Sequence, residues 1–114
     1  MKKIIVLITL FGLAATLSTK AAEAKDNWDS LCAKCHGATG QGDTKMGQKL
    51  GAKDFTDAKV QSDMKDEDAA KAITDGVKDD DGKTKMKAYV TGADTPLSDD
   101  EVKALVAYVR GLKK

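Results

Sequence analysis

Two thiols three positions apart with an imidazole directly after them, Cys32-Ala33-Lys34-Cys35-His36, constrain this 114-residue chain more than any other stretch in it. On one helical turn, positions i and i+3 share a face. Cys32 and Cys35 can therefore form thioethers to the two vinyl groups on one edge of a porphyrin. His36 sits i+4 from Cys32, where its ring can reach the iron from one side as an axial ligand. Two thiols and an imidazole in this order are the attachment signature of a c-type haem. Haem bound in this way cannot dissociate.

Other chemistries use part of the same motif. A thioredoxin-type dithiol also shows C-x-x-C, and Trp28 lies nearby, but that chemistry belongs at a helix N-terminus beside a βαβ pattern, and no such pattern is present. A structural zinc site needs four ligands. With two cysteines and one histidine in the chain, only a carboxylate could complete it. A disulfide suits an oxidising compartment but leaves His36 without a role. Haem uses all three residues.

The length fits one domain, and its first stretch stands apart. Lys2 and Lys3 form a basic n-region, Ile4 to Leu17 is an apolar run broken only by Thr and Gly, and Ala22-Glu23-Ala24 is a small-x-small site. The run is roughly 14 residues where a spanning helix needs about 20. Residues 1–24 are therefore expected to be a cleaved Sec-type signal peptide, with 25–114 as the domain and the periplasm as its destination. Export sets the redox setting, since outside the cytoplasm two lone cysteines pair or are consumed by a cofactor.

Cleavage after Ala24 takes three lysines and one glutamate from the 19 basic and 18 acidic side chains, leaving 16 and 17. A net charge near zero argues against nucleic acid or a membrane surface as partner, because both favour a basic excess. The expectation is a soluble monomer. It is also short of core, with one Trp, two Tyr and one Phe after residue 24. Chains this small bury only about 60% of their unfolded surface, so a large apolar cofactor would supply the missing centre and the apoprotein is expected to fold poorly.

No strand-like alternation appears, and the fold class expected is all-α. Asp26 reads as the N-cap of a first helix in which Trp28 and Cys32 share a face. Gly37 is placed to close that helix as a left-handed cap. From Ala38 to Asp63 the pattern is weak, with Leu50, Phe55 and Val60 as inward anchors. Asp66 reads as the cap of a second helix lined by Ala70, Ile73 and Val77 and ended by Gly76. Asp79-Asp80-Asp81-Gly82 reads as a solvated turn. Ser98 and Glu101 form a capping box, Leu97 and Val102 a hydrophobic staple, and Val102, Leu105, Val106, Val109 and Leu112 an apolar stripe. Tyr108 lies beside that stripe, where it can pack on the first helix.

A single histidine excludes bis-histidine ligation. The other axial position is left to Met46, Met64 or Met86, to a lysine, or to an open site. Met46 is ten residues from His36, too near for a chain that must round the porphyrin edge. Met64 adjoins the second helix in an acidic, exposed-looking context. Met86 lies fifty residues on, in a helix-free stretch able to fold over the ring, and is the residue chosen.

These residues resemble the class I cytochromes c, in particular the small monohaem bacterial ones. The likeness takes in Cys32-Ala33-Lys34-Cys35-His36-Gly37, the Gly-rich loop after it, Ile73-x-x-Gly76, Lys85-Met86 with Tyr89, and Leu105-x-x-Tyr108-Val109, across nearly all of residues 25–112. It implies the class I cytochrome c fold, three to five short helices wrapped around one covalently bound haem c, with first and last helices crossing beside a haem ligated by His36 and Met86. Two features depart from the family pattern. Lys87 stands where Pro often follows the Met ligand. No proline lies between His36 and Pro96, whereas the family commonly places one whose carbonyl accepts the imidazole N–H.

Two protein ligands on iron leave no vacancy for substrate, and a thioether ligand raises the reduction potential. The function expected is soluble, exported one-electron transfer between transient redox partners, not catalysis. Lys83, Lys85 and Lys87 bracket Met86, and with Lys45, Lys49 and Lys53 they could steer the protein to an acidic partner. The rival from another class is a haem sensor or peroxidase-like protein with an open or labile sixth position.

Overall fold

The computed structural model describes residues 15–114. Lys2, Lys3 and most of the apolar run Ile4–Leu17 lie outside the described residues. Helix α1 (Ala15–Asn27) widens into a π turn (Trp28–Cys32) and tightens again into α2 (Ala33–His36). The short helices α3 (Lys45–Leu50) and α4 (Ala58–Asp63) follow, then α5 (Asp66–Asp75), strands β1 (Val77–Lys78) and β2 (Thr84–Met86), and α6 (Asp99–Arg110). The fold is small and mainly helical, as expected, with an antiparallel ribbon that pairs Val77 with Met86. Among the described residues no helix is long and apolar enough to cross a membrane.

The core gathers on α6, whose Val102, Leu105, Val106 and Val109 are buried on one stripe. They meet Trp28, Cys32 and Ile73 in a single cluster, with Phe55, Met64, Met86, Tyr89 and Leu97 packed around it. The capping box forms as the sequence dictates: Ser98 Oγ accepts from Glu101 N at 3.1 Å, and Glu101 Oε1 accepts from Ser98 N at 3.0 Å. Tyr108 packs its ring 5.4 Å from that of Trp28.

Several local expectations give way to tertiary structure. Asp26 lies inside α1 and caps nothing. The alanines before it are strong helix formers, and Ala24, 3% exposed, is buried where α1 meets α6. The small-x-small site expected at Ala22–Ala24 therefore lies within α1. Helix α5 has Lys65 at its N-cap with no side-chain bond, because the Asp66 carboxylate turns to Arg110 Nε at 2.7 Å. Val77 does not extend the α5 face. Gly76 takes φ +76° and ends the helix, and Val77 opens β1, 39% exposed. Met64, which reads as exposed, is half-buried against the core.

The Asp79–Gly82 turn closes the ribbon, with the Asp79 carboxylate accepting from Asp81 N at 3.0 Å and Lys83 N at 2.8 Å. Gly37 has φ +84° and ψ 156°, so it turns the chain sharply after His36 without forming a left-handed helical cap.

Candidate functional site

Cys32 ends the π turn, Cys35 and His36 end α2, and the three residues sit at the heart of the described fold. Both cysteines are free thiols, Cys32 buried and Cys35 half-buried. The disulfide alternative is therefore not formed. Burial, reinforced by Cys35, pushes the Cys32 thiol up to about 11. It stands in the apolar cluster as a neutral sulfur beside Trp28, Ile73 and Leu105. Nor do Cys32, Cys35 and His36 converge with a carboxylate, since no group of three or more His, Cys, Asp or Glu that could hold a metal ion occurs among the described residues. That removes the zinc reading.

The backbone around the motif is held by neighbours far along the chain. Thr44, the N-cap of α3, donates through Oγ1 to the Cys35 carbonyl at 2.7 Å and accepts from Gly47 N at 2.9 Å. Position 47 must be glycine, because a Cβ there would overlap the Cys35 carbonyl. Trp28 Nε1 donates to Gly37 O at 3.1 Å, which ties the residue after His36 to the π turn. The loop after the motif returns to α6 through Gln61, whose Nε2 donates to Phe55 O at 2.7 Å and to Val109 O at 2.8 Å.

His36 is the most unusual side chain. Burial lowers its pKa below the ordinary histidine value, so the ring is neutral with a lone pair to give. Its Nδ1 is buried and has no hydrogen-bond partner. A buried polar nitrogen left unpaired costs about 1–3 kcal/mol. Two free thiols sharing a turn with such an imidazole fit a porphyrin stitched to the chain by sulfur.

Of the three candidate methionines, Met46 is exposed at 39%, while Met64 and Met86 are half-buried and pack on the cluster that contains Cys32. Met86 sits at the end of β2, not in a free loop. The lysines at 45, 49, 53, 83, 85 and 87 are all exposed. Two surface grooves, one between α1 and α6 around Ala24 and Glu101 and one between α5 and α6 around Ala70 and Val106, include none of the motif residues.

Sequence reasoning overlooked four residues that build the site: Thr44, Gln61, Phe55 as a neighbour of His36, and Arg110, whose guanidinium binds Gln61 O and Met64 O. Only Thr44, three residues before a glycine in a helix-start pattern, carried a local signal.

Residues 21–113 match the model of the family described as Cytochrome c. Among solved structures the chain is similar to one titled KustC0563 c-type cytochrome, at 34% identity and a TM-score of 0.66, over 80% of this chain and 98% of that one. It is similar as well to a tyrosine-to-phenylalanine mutant of that protein, at 33% identity and a TM-score of 0.64, over 80% of this chain and 99% of that one. The comparison with curated proteins returned no match. A family match that runs from α1 to the end of α6 and spans the Cys32–His36 motif leads to one conclusion: the chain belongs to the cytochrome c family and, as its members do, carries haem c and serves electron transfer.

Proposed function

We propose that this protein is an exported one-electron carrier in which Cys32 and Cys35 hold the haem by thioethers and His36 and Met86 are its axial ligands. The observation that carries this reading is the half-buried, neutral His36 imidazole in the turn directly after two free thiols. When bound, the haem supplies one-electron chemistry between the ferrous and ferric states of its iron.

The chain's own residues then do three things. Cys32 and Cys35 anchor the ring edge from one turn. Met86 is presented by a strand, and its half-buried side chain packs on the same cluster as Cys32, so apolar contacts restrain it where water is scarce. With His36 and Met86 both held by the iron, no position would be left for a substrate, which favours a carrier over an enzyme. The exposed lysines around Met86 and in the 45–53 segment support transient docking on acidic redox partners. The basic and apolar N-terminal stretch supports export by a cleaved leader.

Absorption spectroscopy of the holoprotein tests the ligand set. Met86→Ala should abolish the weak red band that reports methionine on ferric iron and let the ferrous protein bind carbon monoxide. Met64→Ala should leave both as in the wild type. The reverse outcome would transfer the ligand role to Met64, and loss of the band in neither variant would end the reading. Partner reduction should slow as salt screens the lysines. A rate independent of ionic strength would remove the docking idea.

A further inference from the structure

The free nitrogen of a metal-bound imidazole almost always donates to a carboxylate, a backbone carbonyl or water, and that bond fixes the ring's orientation. Neither a carboxylate nor a backbone carbonyl of the described residues partners His36 Nδ1. Two aromatic rings stand against the imidazole instead. The centroid of Trp28 is 5.7 Å away with 35° between the planes, and that of Phe55 is 5.2 Å away with 31°.

Each of these rings is itself held in place. Trp28 is 2% exposed, is bonded to Gly37 O and is backed by Tyr108. Phe55 N donates to Gly40 O at 2.8 Å, and the Phe55 carbonyl accepts from Gln61, a side chain 6% exposed that also binds Val109 O. Phe55 is thus bonded on one side to the loop after the motif and on the other, through Gln61, to α6.

We infer that Trp28 and Phe55 are positioning residues for His36: the packing of their rings sets the plane of the imidazole. The inference rests on His36 being an iron ligand. The angle of the imidazole plane then follows the shape of the side chain at position 55.

Proton NMR of the ferric holoprotein separates this inference from the reading beneath it. His36 ring resonances shifted far outside the diamagnetic range in the wild type establish ligation by themselves, and their absence would overturn both statements. With ligation established, the spread and order of the four haem methyl signals report the imidazole plane. Phe55→Leu, which keeps an apolar side chain and removes the flat ring, should change that spread and order, while Phe55→Tyr should retain the wild-type pattern. Val102→Ala, a buried truncation near the start of α6, should lower stability and leave the pattern unchanged. A wild-type pattern in Phe55→Leu, or an equal change in Val102→Ala, overturns the inference.

Discussion

The hydroxyl of Tyr89 donates across 2.7 Å to the carbonyl of Leu31, 58 residues earlier in the chain. It joins the segment just past Met86 to the π turn that ends at Cys32. Burial, and then the neighbouring Cys32 and Cys35, raise the Tyr89 pKa above the ordinary tyrosine value. The hydroxyl therefore keeps its proton and remains a donor throughout the neutral range. Tyr89→Phe deletes that donor and its bond to the Leu31 carbonyl. We expect a loss of about 1–2 kcal/mol, seen as a lower denaturant midpoint at an unchanged slope. An unaltered midpoint would mean that water replaces the bond.

Gly76 is the point at which α5 meets the methionine strand. Its φ of +76° disfavours any side chain, and a Cβ there would lie 2.5 Å from Met86 O and 2.8 Å from Ala88 N. Gly76→Ala therefore combines backbone strain with overlap, each costing on the order of 1–3 kcal/mol. The expected result is a fall of at least about 2 kcal/mol in stability by thermal unfolding. A weakened red band in the ferric holoprotein should accompany it, because the strand that moves carries Met86.

Arg110 makes one exposed ion pair and several shielded bonds, and these are of unequal worth. Asp66 is 66% exposed at its side chain, so that pair contributes about 0–1 kcal/mol. The guanidinium also binds the carbonyls of Gln61 and Met64, which belong to the C-terminal turn of α4 and have no helical partner. Asp66→Ala should cost less than about 1 kcal/mol, whereas Arg110→Ala should cost roughly 2–3 kcal/mol by leaving those carbonyls unsatisfied. Equal losses in the two variants, measured by chemical denaturation, would show that the ion pair is the larger contribution.

Stability should depend on pH through Glu101. The backbone N–H of Ser98, and then the amide of Asn27, hold its carboxyl below the ordinary value. A depressed folded-state pKa means that the stabilisation is complete above the unfolded value of about 4.3 and disappears as pH falls through the lower folded value. Glu101→Gln keeps an acceptor at N3 and removes the charge. At pH 7 it should be less stable than the wild type by about 0.5–1 kcal/mol, a gap that closes in the acid range. A gap that persists at acid pH would assign the effect to packing.

Much of this fold is visible in short stretches of sequence. The reciprocal Ser98–Glu101 bonds close within four residues, and the Val102–Val109 stripe needs only the helical period, so both appear where they were expected. The Cys32–His36 motif is equally local, as one turn carries all three side chains. The misses share a cause. Asp26 has the chemistry of a cap, yet the alanines ahead of it and the burial of Ala24 under α6 carry the helix straight past it. Asp66 has the chemistry of a cap as well, but Arg110, 44 residues away, offers its carboxylate a better partner.

What the sequence determined alone was the attachment chemistry and the outline of the helices, because thioether spacing, caps and apolar stripes act over three or four residues. Tertiary structure alone decided what surrounds the imidazole, which methionines lean on the core and which carbonyls receive Arg110, Tyr89 and Gln61. Those contacts join positions far apart in the chain, where neither period nor propensity carries a signal, and they exist only once α6 has packed against the π turn.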